Sequence, residues 1–398
     1  MAAPRTTANH FKALDGWRGL CACMVVLFHF TGYSPIYTAG LIRDSYLFVD
    51  FFFVLSGFVI AWNYETRLHS WHDVRRFLVL RVGRLYPLHI FMLFVFIAWE
   101  TAKLLLGHTG PNGSAAFTGE TQAGTVLSNV FLVQSLHLNQ TLSWNAPSWS
   151  ISTELWAYIV FAAVCMTAGL RNWMLGIVTI AAPLFLLHVT HTGMDVTYDW
   201  GLVRCLLGFS LGVGCARLYR ARAERGWHDS PAVATAVETL VLAVVVGFVS
   251  FAGRSDWSLL APFVFAVAVL VFAKERGAWS RLLQQAPFRL LGTLSYSIYL
   301  THYFIVVNLP LIVRRVLHVD FTTPMPLPGG GTVEAFGRNS LEGTLFYVLV
   351  LALTVGFSML TYRWIETPGR NWSRAWARRL GVRATNDRAA AGQGATTQ

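Results

Sequence analysis

The sequence predicts an all-α fold: a polytopic membrane bundle of about ten transmembrane helices with both termini cytoplasmic. Three observations predict it. Hydrophobic residues make up 55% of the 398 and the mean hydropathy is +0.49. Only 13% of residues are charged, against about 25% in an ordinary soluble domain. The basic residues fall in alternate connections between apolar runs, which is how a multi-pass chain is oriented.

Ten runs reach, or nearly reach, the roughly 20 residues that a helix needs to cross hydrocarbon. They lie at about 19–37, 46–62, 86–106, 149–168, 172–190, 199–216, 236–252, 258–273, 289–312 and 343–364. Helices are required because lipid leaves a free backbone amide unsatisfied. With the N-terminus inside, 24 of the 31 basic residues fall on cytoplasmic segments, seven of them at or after Arg363. The alternation holds at every loop and sets both span number and orientation.

The net charge of +11 therefore reflects cytoplasmic helix ends rather than a nucleic-acid surface. Cys21, Cys23, Cys165, Cys205 and Cys215 all sit in apolar runs without a CxxC pair, so they read as small buried residues. No metal-ligand cluster, P-loop or internal repeat is present. Two outer connections are long, about 107–148 and 313–342, and loops of that length are often functional. Residues 1–370 form the expected membrane domain, and 371–398 a small, polar tail expected to be disordered.

Ionisable side chains inside spans are costly and point to function. Arg18 lies at the inner mouth of the first span, and His29 follows eleven residues later, about 16 Å deeper and on the same face. Asp50, Glu154, Arg204 and His302 lie at comparable depth on four other spans. Together they describe a polar chamber. Each also has a plainer reading. Asp50 and Arg204 could be a structural ion pair. Glu154 could cap its helix. His302 could make a helix–helix hydrogen bond. Arg81 and Arg84, spaced i, i+3, could be cytoplasmic anchors, and Asp15 with Arg18 a local pair.

Chemically, such a chamber suits an anionic donor docked on Arg81 and Arg84, with neutral His29 taking a proton from an acceptor hydroxyl. A neighbouring carboxylate would fix its tautomer. A proton-relaying transporter or flippase of a lipid-linked saccharide would use the same residues.

The stretches "LDGWRGL…VVLFHF", "VDFFFVLSGFVI", "RFLVLRVGRLYP", "WSISTELWAY", "LGTLSYSIYLTH" and "IETPGR" occur in this order. Together they resemble the acyltransferase-3 family of integral membrane O-acyltransferases, over roughly residues 12–370, in its stand-alone membrane form. The resemblance implies transfer of an acyl group, commonly acetyl from acetyl-CoA, to a hydroxyl of a carbohydrate-type acceptor such as a glycolipid or exopolysaccharide, at the cytoplasmic (inner) membrane. It implies His29, Glu154 and Asp50 as catalytic residues, and Arg18, Arg81 and Arg84 as the donor site. Arg204, Ser150, Tyr296 and His302 are candidates for the chamber or an oxyanion site. Thr301 stands where the family usually has Trp. Acyl-CoA is expected as a co-substrate, with no bound cofactor or metal.

Overall fold

A computed structural model of the chain describes residues 11–107, 114–226, 229–327 and 330–394. It is an all-α bundle. The long helices are α1 (Lys12–His29), α2 (Phe48–Tyr64), α3 (Trp71–Leu105), α4 (Trp149–Thr167), α5 (Asn172–Val189) and α6 (Gly201–Ala223). They continue with α7 (Pro231–Ala252), α8 (Ala261–Phe272), α9 (Ala286–Leu317), α10 (Ser340–Thr361) and α11 (Thr367–Gly394). One antiparallel hairpin, β1 (Thr322–Pro326) with β2 (Thr332–Phe336), interrupts the helices.

Among the described residues, eight helical stretches are long and apolar enough to cross a membrane. The protein is a multi-pass membrane protein. The remaining two of the ten expected spans are weaker. The 256–272 stretch is apolar but short, and α1 carries Lys12, Asp15 and Arg18 within 18 residues.

The helix ends differ from the sequence reading in three informative places. Helix α1 begins seven residues earlier than expected and stops at His29, because Phe30 turns extended and Gly32 and Pro35 follow. His29 is thus the last residue of a helix, not its middle. Helix α3 begins fifteen residues earlier, capped by Ser70, whose side chain accepts from the Asp73 amide. Arg81 and Arg84 therefore sit within a helix rather than at its mouth. The region from 371, expected to be disordered, continues as α11, where Ser373 and Ala377 bury against α3. Residues 395–398 lie outside the described residues.

Close helix pairs build the core, and glycine makes them close. A Cβ on Gly57 of α2 would lie 2.1 Å from the Phe209 carbonyl of α6, and one on Gly212 would lie 2.0 Å from the Val54 carbonyl of α2. In α1, a Cβ on Gly19 would meet the Gly292 amide of α9 at 2.6 Å. On α3, a Cβ on Gly83 would strike Ser373 of α11.

The long connections gather at the His29 end of α1. The Phe336 amide donates to the Thr31 carbonyl at 2.8 Å, and the Tyr33 amide to the Phe336 carbonyl at 3.0 Å, so the hairpin seats on the chain leaving α1. The 114–148 segment covers α9 through the Asn145 side chain, which donates to the Leu300 carbonyl at 2.8 Å.

Gly212→Val tests the close approach. It should cost about 1–3 kcal/mol by overpacking and lower the midpoint of thermal unfolding in detergent. Gly214, whose added Cβ meets nothing within 4 Å, should tolerate Ala with no shift in the same assay.

Candidate functional site

A cavity of about 590 Å³ lies among α1, α2, α3, α4, α9 and the turn that joins α10 to α11. Its charged lining is strongly cationic: Lys12, Arg18, Arg81, Arg84, Arg289 and Arg370, against Asp15, Glu154 and Glu366. Each acid is held by a neighbour. The Arg18 Nη1 donates to Asp15 Oδ1 at 3.0 Å, the i, i+3 pair expected from the sequence. Glu154 Oε1 accepts from the Ser56 hydroxyl at 2.6 Å and the Tyr158 hydroxyl at 2.5 Å. Glu366 accepts from Ser297 Oγ at 2.9 Å and Arg370 Nη1 at 3.2 Å.

The arginines are less evenly matched. Arg81 donates to the Tyr64 hydroxyl at 3.3 Å, and its guanidinium lies over the Tyr64 ring at 5.3 Å. Arg84 has no hydrogen bond or ion-pair contact among the described residues. A guanidinium offers five donors in a planar fork suited to phosphate. Arg84 thus faces the cavity with its donors open to an anion.

Six of the sequence-predicted residues line this cavity: Arg18, Arg81, Arg84, Glu154, Ser150 and Tyr296. Glu154 does not cap its helix. It is six residues in and turned to the cavity. The Ser150 hydroxyl lies 2.8 Å from the Tyr299 hydroxyl and donates to the Pro147 carbonyl at 3.0 Å. The Tyr296 hydroxyl donates to the Leu85 carbonyl.

His29 and His302 form a second centre beyond the cavity wall. The Nε2 of His302 lies 3.2 Å from Nδ1 of His29. The Nδ1 of His302 lies 2.7 Å from the Tyr299 carbonyl, and Nδ1 of His29 lies 2.9 Å from the Val25 carbonyl. A carbonyl only accepts, so a neutral His302 carries its proton on Nδ1 and accepts at Nε2. His29 Nδ1 then faces two acceptors and must carry the proton. This leaves Nε2 of His29 as the basic nitrogen, without a hydrogen-bond partner among the described residues. The sequence reading expected a carboxylate to fix this tautomer. A second imidazole and a backbone carbonyl fix it instead. Tyr303 packs edge-on against His29 at 5.7 Å, and its hydroxyl donates to Glu120 of the long loop at 3.1 Å.

Asp50 and Arg204 belong to neither centre. Arg204 Nε and Nη2 reach the two oxygens of Asp50 at 2.9 and 2.7 Å, and Nη2 also donates to the Tyr46 carbonyl at 3.1 Å. The guanidinium lies over Tyr46 and Trp149 at 5.6 and 5.4 Å. Both side chains are within 1% of fully buried. The geometry is that of the structural ion pair, the second of the two readings left open by the sequence.

Several lining residues escaped the sequence reading: Ser56, Tyr158, Arg289, Tyr299, Glu366 and Arg370. Glu366 and Arg370 stand inside "IETPGR", and Ser56 inside "VLSGF", so the motifs carried them unread. Tyr362–Glu366 winds as a π-turn, a form frequent at functional sites, and turns Tyr362 and Glu366 into the cavity.

The family model described as "Acyltransferase domain" matches residues 11–363. BcsY of Komagataeibacter xylinus, named for membrane-bound transacylase activity, is 27% identical over 309 residues, covering 74% of this chain and 72% of its own. The acyltransferase MdmB of Streptomyces mycarofaciens is 28% identical over 281 residues, 65% of this chain and 67% of that one. The peptidoglycan O-acetyltransferase OatA of Listeria monocytogenes is 24% identical over 399 residues, and the match takes 92% of this chain but 57% of that longer protein. No solved structure matches the chain.

If Asp50 is structural, removing one partner should be worse than removing both. Asp50→Ala should cost roughly 3–5 kcal/mol by stranding Arg204. The double replacement Asp50→Leu with Arg204→Met should recover folded yield on size exclusion and much of the activity. A folded but inactive double variant would restore Asp50 to the catalytic set.

Proposed function

The chain belongs to the acyltransferase-3 family, and from that premise we propose that it moves an acyl group from acyl-CoA to a carbohydrate hydroxyl outside the cytoplasmic membrane. The observation that carries this reading is the open Arg84 guanidinium among five other cationic side chains in one cavity. A CoA donor brings several phosphates and a long thin arm, which such a site would grip by charge-assisted bonds. Arg18, Arg81, Arg289 and Arg370 supply further positive charge around it.

In this reading His29 acts from the other side of the wall. An acceptor hydroxyl approaches beneath the 114–148 loop and the hairpin. The Nε2 of His29 takes the hydroxyl proton while the oxygen bonds to the thioester carbon. The carbon–sulfur bond then breaks, the proton passes to the departing thiolate, and the products are an ester and free CoA thiol. His302 orients His29 and accepts from its Nδ1, which stabilises the imidazolium formed in between. No acyl-enzyme is invoked, and none of the five cysteines lines the cavity. The names of OatA and MdmB support acyl transfer, and OatA's name supports transfer to oxygen on a glycan acceptor. The acceptor of this chain is proposed as an envelope polysaccharide or glycolipid, and acetyl as the group moved.

Two measurements test the reading. In membranes supplied with acetyl-CoA, His29→Ala should lower acceptor acylation by about 10²–10⁴-fold, the usual worth of a general base. His302→Ala should lower it less, since the base remains. Undiminished acylation by folded His29→Ala would remove it from the mechanism. Arg84→Ala should raise the KM for acetyl-CoA roughly tenfold or more, with a smaller change in kcat, because a charge-assisted contact is worth about 1.5–3 kcal/mol. An unchanged KM would dissociate the cavity from the donor.

A further inference from the structure

The cavity stops short of the histidines. Phe52 and Tyr299 line it, whereas His29, His302 and Tyr303 do not. The two rings meet edge to face with centroids 5.9 Å apart, and the Tyr299 and His302 ring centroids also lie 5.9 Å apart. Tyr299 is one helical turn before His302 on α9, and Phe52 lies in the second turn of α2. Tyr299 thus joins the cavity lining to His302, and through His302 to His29, with Phe52 packed on its ring.

The two rings are not held alike. Tyr299 is 6% exposed, and its hydroxyl donates to the Pro147 carbonyl at 3.1 Å beside the Ser150 hydroxyl at 2.8 Å. Both anchors belong to the start of α4 and the turn before it. Phe52 is half-buried, carries no polar group, and borders the cavity directly. A rigid ring fixed by hydrogen bonds faces a ring held by packing alone.

We propose that Phe52 and Tyr299 form the acyl-length filter of the enzyme. The inference rests on the reading of the cavity as the donor site. The thioester carbon must come within bonding reach of the hydroxyl held by His29, so the acyl group has to pass this aromatic pair. A two-carbon acyl group needs the least displacement of Phe52. Each added methylene must push further against the ring or against the anchored tyrosine, and a pocket discriminates about 10–200-fold per methylene. Tyr299 sets the fixed wall and Phe52 the movable one. This pairing predicts that chain-length preference resides in Phe52 and Tyr299 themselves, separate from the arginines that hold the phosphates.

The test supplies membranes containing the full chain with acetyl-, butyryl- or hexanoyl-CoA. Thiol release and ester masses on the endogenous envelope glycan are measured together. Wild type should favour acetyl. Phe52→Ala should raise the butyryl-to-acetyl ratio at least tenfold. The milder Phe52→Leu, which preserves packing, should shift it in the same direction by a smaller factor. Tyr299→Leu should shift it as well. Arg84→Ala should weaken all three donors equally and leave the ratio unchanged. Ratios within twofold of wild type in folded Phe52 and Tyr299 variants would overturn the filter while leaving the donor site standing. Wild type that releases no thiol from any of the three donors would overturn the donor site and the filter with it.

Discussion

Everything in the site depends on how closely α1 and α9 approach. Gly19 of α1 and Gly292 of α9 leave no room for a Cβ: added carbons would lie 2.6 Å from the Gly292 amide and 2.3 Å from the Asp15 carbonyl, and one on Gly16 would lie 2.5 Å from the Leu283 carbonyl in the short helix that precedes α9. Backbones in contact fix the register of two helices far more tightly than side chains do, since there is no rotamer to adjust. That register carries forward along α1 and α9 in parallel. It sets Arg18 beside the same cavity as Arg289, and brings His29 to 3.2 Å from His302. A bulkier residue at the glycine contact would separate both pairs at once.

The second constraint is charge. Six cationic side chains share one cavity with three carboxylates, and each carboxylate is engaged locally. Glu154 is held by two hydroxyls rather than an arginine, so its charge offsets the cluster only at a distance. The excess positive charge, in a site walled by apolar helices, repels itself, and an anion entering the cavity would relieve that repulsion. Asp50 and Arg204 solve the opposite problem. Deeply buried, they are neutralised by each other, and Arg204 also donates to backbone carbonyls, so their charges are matched locally.

The membrane helices were legible in the sequence because burial in lipid selects long apolar runs whatever the tertiary structure. Arg18 and His29 were legible for a related reason: a charge or imidazole inside such a run is costly, and three helical turns place both on one face. What the one-dimensional pattern missed are contacts across the bundle. Nothing local distinguishes an Asp50 that acts from an Asp50 that pairs with Arg204, 154 positions away. The first fifteen residues of α3 hid behind their own charge. Arg75, Arg76, Arg81 and Arg84 read as a loop by hydropathy, yet Ser70 caps them into a helix and Ser373 packs on Gly83. The same bias concealed α11, Glu366 and Arg370. Arginine is a good helix former, and a helix that leaves the membrane loses its apolar signature without losing its structure. His302 was found from its depth, but its role as the group that sets the His29 tautomer could be read only from distances.

The separation of the two centres is itself informative about mechanism. A base that shared the donor cavity would meet the thioester whether or not an acceptor had arrived, and water could take the place of the hydroxyl. Here His29 is absent from the cavity lining and packs instead against Tyr303, whose hydroxyl connects to Glu120 of the long loop. Donor and acceptor would then approach the aromatic pair from opposite faces. The hydroxyl would be deprotonated only where the acyl carbon emerges. Such a layout fits two features together: an arginine cluster in a cavity that neither imidazole lines, and a His29 oriented by another histidine rather than by a cavity carboxylate.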